Sequence, residues 1–183
     1  MKVSNQSIRL FLLVSMLCAF ASGQSARTHT NAYSLVIEAS MKNSWQGITP
    51  LRSSTADVAQ MMGLENDSPE GSLVGPFKVE DGEVTFSYLT PSLAKIYHAP
   101  ASLTNKVFTI YVKPAAALYR ADLKLDRSFK PCSEEGIKGF YYLVNEAGIA
   151  YQIKRSTDTV ETIIYQPSRA EVRRFAVNTE CVF

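Results

Sequence analysis

Asp81-Gly82 stands between two stretches in which apolar and polar residues alternate, Phe77-Lys78-Val79-Glu80 and Val84-Thr85-Phe86-Ser87-Tyr88. Side chains of a strand point alternately to opposite faces, so each stretch has one face to bury and one to leave outside. Asp-Gly is the connection that lets two such strands pair as a hairpin. Lys106-Val107-Phe108-Thr109-Ile110-Tyr111-Val112, β-branched and aromatic throughout, predicts a third strand. Between the second and third, Leu89 to Asn105 carries Pro91 and Pro100 and predicts a long excursion, a kind of loop that often carries function.

A helix is predicted ahead of this sheet. Ser54 is placed to accept from the free N–H groups of a first turn, Asp57 holds the capping-box position, and Val58, Met61 and Met62 fall on one face. Gly63 then closes a helix of about nine residues, too short to stand without a sheet to pack on. The same order is predicted again downstream. Ala115 to Leu123 is helix-competent and Lys124 to Gly139 reads as loop. Phe140-Tyr141-Tyr142-Leu143-Val144 and Ile149-Ala150-Tyr151-Gln152-Ile153 flank the turn Asn145-Glu146-Ala147-Gly148, and Val160 to Tyr165 follows as a third strand. Pro167 ends that strand, and Ser168 with Glu171 offers a capping box for a last short helix through Phe175. The expectation is an α+β protein with an antiparallel sheet of about six strands, built from two helix-plus-β-meander units over 41–113 and 114–183.

The segment before these units has another purpose. Leu10 to Ala21 is an apolar run of 12 residues behind Lys2 and Arg9, shorter than the roughly 20 needed to span a bilayer, and Ala19-Phe20-Ala21 supplies small residues for cleavage. Residues 1–23 are predicted as a signal peptide and 24–40 as a flexible leader, with Leu35-Val36-Ile37 a short strand candidate, so the expected location is periplasmic or extracellular. An uncleaved anchor is opposed by the shortness of the run, and lipid attachment at Cys18 by the bulky Leu17 before it. Cys132 and Cys181 would remain, an even count that favours a disulfide closing a loop of about 50 residues. They are 49 positions apart with no Cys-x-x-Cys and no nearby histidine, which argues against a metal role.

Charge removes further classes. The chain has 19 Lys and Arg against 17 Asp and Glu, and the first 23 residues hold two of the cations and no acid, which leaves 17 of each. A neutral chain lacks the basic stripe of a nucleic-acid binder. Neither a Gly-x-Ser-x-Gly elbow nor a phosphate loop nor a dinucleotide fingerprint occurs, so no cofactor is expected.

The series Ile48-x-Pro50-Leu51-x-Ser53-x-x-x-Asp57-Val58 with Gly63, then Gly139-Phe140-Tyr141-Tyr142, Asn145-Glu146-Ala147-Gly148-Ile149-Ala150-Tyr151 and Ile163-Ile164-Tyr165-Gln166-Pro167, resembles exported proteins of acidobacterial type, a family that implies no activity. A short helix ending in glycine before a β-meander is more distantly similar to the small outer-membrane assembly lipoproteins and the β-lactamase-inhibitor-protein fold. The chain departs from the former in lacking a proper lipobox.

Candidate site residues are few. His29 lies in the leader. His98, in Tyr97-His98-Ala99-Pro100, is the one general base suited by type, and an envelope hydrolase would need it to meet a carboxylate, with Glu134-Glu135 and Asp122/Asp126 available. Those acids also suit a solvated surface, and His98 an ordinary loop. Asn66-Asp67-Ser68 matches a glycosylation sequon followed by Pro69. The tyrosines are more suggestive, because a tyrosine offers large contact area at small entropic cost. Tyr141 and Tyr142 are adjacent and cannot both point inward. Arg169, Arg173 and Arg174 lie on the final helix, a solvated face or an anionic contact. The expectation is a non-enzymatic binding module that meets a protein or envelope component through an outer sheet face of Tyr142, Tyr151 and Tyr165 and the loop around Tyr97 and His98. The alternatives are the hydrolase and a purely structural envelope component.

Overall fold

Ser54 opens the helix as its sequence dictates: its backbone N–H donates to Asp57 Oδ2 at 2.6 Å, and its hydroxyl accepts from the Asp57 N–H at 3.3 Å. The computed structural model describes residues 43–65, 72–132 and 138–174. Helix α1 runs over Thr55–Met62 and stops at Gly63, whose left-handed φ of 66° lets its N–H turn back to the Ala59 and Gln60 carbonyls. Val58 and Ala59 are buried, and Met61 and Met62 pack at the margin of the core.

One antiparallel sheet of seven strands carries the rest: β1 Leu73–Val79, β2 Gly82–Tyr88, β3 Val107–Pro114, β4 Lys130–Cys132, β5 Phe140–Val144, β6 Ile149–Lys154 and β7 Thr159–Tyr165. The spatial order is β1-β2-β3-β7-β6-β5-β4, so two meanders meet along β3 and β7, where Ile110 pairs with Tyr165 and Val112 with Ile163. The Asp81-Gly82 hairpin forms with Val79 opposite Gly82. Gly82 has φ 145°, and any side chain there would be driven into the Lys113 carbonyl of β3.

Three expectations are corrected. Seven strands form rather than about six, because β4 lies inside the stretch read as loop; Pro131 is tolerated there since an edge strand pairs on one side only. The helix expected over Ala115 to Leu123 is reduced to a 3₁₀ turn at Arg120–Asp122. Backbone pairing overrides its propensity: Leu118 accepts from the Val160 N–H at 2.8 Å, and Tyr119 bridges to Thr159. The second meander therefore lacks the helix of the first. The excursion from Leu89 to Asn105 is ordered instead, with helix α2 at Pro91–Ile96 and a 3₁₀ turn at Ala101–Leu103. Helix α3 covers Arg169–Val172 behind the expected Ser168/Glu171 capping box. The signal peptide, the leader with Leu35-Val36-Ile37, the sequon, Glu134-Glu135, Phe175 and Cys181 lie outside the described residues.

The main core sits on one face of the sheet. Phe86, Ile110, Ile153, Tyr151 and Tyr165 point into it, and Trp45, Ile48, Val58, Leu118 and Leu123 close it from above. A second, smaller core packs Leu51, Leu89, Ala94 and Val172 around Phe108. A third cluster, Tyr142, Ala150 and Ile164, lies on the opposite sheet face, since each is the register neighbour of a residue of that parity.

Candidate functional site

Thr90 and Pro91 are the local cause of α2. The Thr90 hydroxyl accepts from the Leu93 N–H at 3.3 Å, and Pro91 occupies the first helical position, where a missing N–H costs nothing. Tyr97 caps the other end, its N–H donating to the Leu93 carbonyl at 2.9 Å. His98 follows with φ 52°, a left-handed conformation uncommon outside glycine. The base of the excursion is pinned twice: the Leu89 N–H donates to the Lys106 carbonyl and the Asn105 N–H to the Leu89 carbonyl, both at 2.9 Å.

This frame fixes what the surface presents. The Tyr97 ring stacks on buried Phe108 with centroids 5.5 Å apart. His98 is exposed, and Ile96 beside it is 65% exposed, the most exposed large apolar side chain among the described residues. No hydrogen bond or ion pair among the described residues joins the His98 side chain to a carboxylate.

The remaining candidates divide between two faces, which corrects the expected outer face. Tyr151 and Tyr165 point into the main core at 0% and 3% exposure. Register explains it: Tyr151 lies opposite Leu143 on one side and Ile163 on the other, and Tyr165 opposite Ile110 and Ile149. Burial pushes the Tyr151 hydroxyl up to about 12 and raises that of Tyr165 further still, with Tyr151 adding to the latter. Tyr142 has the other parity. It is buried at 5%, and its hydroxyl accepts from Gln152 Nε2 at 2.8 Å, while Gln152 Oε1 accepts from the Thr162 hydroxyl at 3.2 Å. Half-buried Tyr111 belongs with it: burial raises the Tyr111 hydroxyl, and the Tyr97 and Tyr142 phenols add to the rise. Tyr97, Tyr111 and Tyr142 thus form a neighbourhood that includes two of the five expected residues and excludes Tyr151 and Tyr165. Tyr111 and Ile96 are additions. Tyr111 was legible in the alternation of β3, where it is out of phase with Ile110 and Val112.

At one end of the sheet, Lys130, Cys132, Val144, Glu146, Gln166 and Arg169 line a cavity of about 260 Å³. Arg169 and Glu146 approach to 3.6 Å there, and Gln166 is 1% exposed, with Oε1 lacking a hydrogen-bond partner. Such a lining can hold polar groups by charge and hydrogen bonding; among its described residues no nucleophile and base are in contact. Among the described residues no three His, Cys, Asp or Glu side chains converge as metal ligands.

Both outer strands carry a proline, Pro76 in β1 and Pro131 in β4, and β1 is further interrupted by a register shift between Val74 and Phe77. A proline removes one backbone donor and disfavours addition of a foreign strand. No family model matches the chain, and neither a curated protein nor a solved structure does.

Proposed function

We propose that the chain is an exported binding module, not an enzyme, that recognises a protein partner of the cell envelope or extracellular space through Ile96, Tyr97 and His98. The observation that carries this reading is the 65% exposure of Ile96 next to an aromatic ring already braced on Phe108. An exposed aliphatic side chain on a short helix with fixed ends costs little ordering entropy when a pocket closes over it, which is how interface hot spots are built. The left-handed backbone at His98 supports it too, since strained positions persist where the surroundings hold them and cluster at binding sites. No described helix is long and apolar enough to cross a membrane. The balance of charges leaves shape and apolar contact as the basis of recognition.

We further propose that Cys132 pairs with Cys181. Cys132 is not a free thiol in the structure, and export would place the chain where disulfides persist.

The test is site-directed photo-crosslinking. A photoreactive residue at Lys95, beside Ile96, should yield a discrete crosslinked species in envelope extract, and Ile96→Asp should abolish it by a loss of roughly 2 kcal/mol or more of binding energy. The same probe at exposed Lys154 should give none. A species that survives Ile96→Asp, or that appears equally from Lys154, rejects this surface.

A further inference from the structure

The cavity at the end of the sheet is framed by backbone before it is lined by charge. Gln166, the residue after β7, donates its N–H to the Gly148 carbonyl at 2.8 Å, and its own carbonyl accepts from Asn43 Nδ2 at 3.2 Å. A Cβ at Gly148 would be driven into that carbonyl, so the turn between β5 and β6 reaches the end of β7 only because a glycine stands there. The turn is tied from within, where Asn145 Oδ1 accepts from the Ile149 N–H at 2.9 Å, and from outside, where the Arg169 N–H donates to the Glu146 carbonyl at 3.0 Å. A frame fixed in this way stands ready before a ligand arrives.

Four polar side chains of the lining fall into two pairs. Lys130 and Arg169 bring positive charge, while Glu146 brings a carboxylate and Gln166 an amide oxygen. Lys130 makes no ion pair among the described residues. Arg169 and Glu146 are 3.6 Å apart with side chains 53% and 67% exposed, and an ion pair so exposed is weak and readily exchanged for ligand groups. Gln166 is the opposite case. It is 1% exposed and its Oε1 has no hydrogen-bond partner, a buried acceptor whose lost hydration nothing offsets.

We propose that this cavity binds a small α-amino acid as its zwitterion, with the carboxylate on Lys130 and Arg169 and the ammonium on Glu146 and Gln166 Oε1. Charge selects the class. A simple anion would suit the two cations but would be repelled by Glu146, and a simple cation would be repelled by Lys130 and Arg169. A molecule with both charges matches all four groups through charge-assisted hydrogen bonds and supplies the donor that Gln166 lacks. Size agrees with charge: about 260 Å³ lies just under the roughly 300–1,000 Å³ of drug-sized sites, which suits a small metabolite better than a polymer. Val144 and Pro167 add apolar lining for a short aliphatic side chain. The inference is independent of the Ile96 surface, whose residues do not line the cavity.

Isothermal titration calorimetry of the full chain with three probes of similar size tests the proposal. L-Alanine carries both charges, L-lactate has a hydroxyl in place of the ammonium, and ethylamine lacks the carboxylate. L-Alanine should bind with a dissociation constant below about 1 mM, and the other two at least about tenfold more weakly. Glu146→Gln should weaken L-alanine about tenfold and leave L-lactate unchanged or tighter, a crossed response that loss of structure cannot give. Gln166→Leu replaces an unpartnered acceptor by an apolar group, so it should keep the thermal stability and weaken L-alanine by about tenfold. Lys130→Gln should weaken L-alanine and L-lactate alike, and it serves with Glu146→Gln where Gln166→Leu fails to fold. Absence of saturable heat with L-alanine overturns the site. L-Lactate binding as tightly as L-alanine, or L-alanine binding indifferent to Glu146→Gln, overturns the zwitterion.

Discussion

The ring of Tyr97 lies on the ring of Phe108 with their planes 22° apart and centroids separated by 5.5 Å. This contact seats the residue after Ile96 on β3. Stability and recognition should therefore separate. Phe108→Ala, which empties a buried site, should cost about 3 kcal/mol or more in urea or guanidinium unfolding and weaken the crosslink from Lys95. Ile96→Ala should change stability by less than about 0.5 kcal/mol and still weaken it. Equal stability losses in the two variants would contradict this division.

Tyr142 and Tyr151 should respond oppositely to the same substitution. The Tyr142 hydroxyl accepts from Gln152 and is tied through it to Thr162, so Tyr142→Phe should cost about 1 kcal/mol. The Tyr151 hydroxyl is buried with no hydrogen-bond partner, and leaving such a group unsatisfied costs roughly 1–3 kcal/mol. Tyr151→Phe should be neutral or stabilising by up to about 1 kcal/mol. Thermal unfolding of the two variants side by side checks the sign.

The Ser54–Asp57 box should appear as an acid-sensitive increment. Hydrogen bonds from the Ser54 backbone and hydroxyl hold the Asp57 carboxyl below its ordinary value. A depressed folded pKa adds stability above the unfolded value of 3.8 and loses it as pH falls through the folded one. Ser54→Ala should cost about 1 kcal/mol near neutral pH, and the difference from the parent should shrink in strong acid. A difference that is flat with pH would show that the carboxylate takes no part.

Alkaline titration should show the opposite limb. Burial pushes the Tyr88 and Tyr151 hydroxyls up to about 12 and raises that of Tyr165 beyond them. Raised folded values mean stability that is complete below the unfolded value of 10.0 and lost as pH climbs toward 12. Absorbance at the phenolate band should therefore rise in two stages, the exposed tyrosines first and the buried ones together with loss of far-ultraviolet structure. A single transition near the ordinary value would refute the burial.

What the sequence discloses here is local. Ser54, Asp57 and Gly63 define α1 within ten positions, and Asp81-Gly82 fixes a hairpin, so both are legible without tertiary information. The inward facing of Tyr151 and Tyr165 is legible in the same way, because Ile149 and Ile153 share the parity of the one and Ile163 that of the other. Pro91 carries two meanings, breaker inside a helix and initiator at its first turn, and only the capping bond of Thr90 selects the second. The pairing of β3 with β7 joins residues as far apart as Tyr111 and Ile164, some 53 positions along the chain, and no periodicity encodes it. The same holds for Leu118, whose bond to Val160 outweighs a modest helical preference.

The place of β7 has a temporal consequence. It is the last of the seven described strands along the chain and yet the middle one in space, between β3 and β6. A polypeptide emerging from the ribosome N-terminus first can close the β2–β3 and β5–β6 hairpins early, but the two halves have no shared seam until Thr159–Tyr165 arrives. Consolidation is therefore late and cooperative, and until then the chain is a pair of loose hairpins with unpaired strand edges.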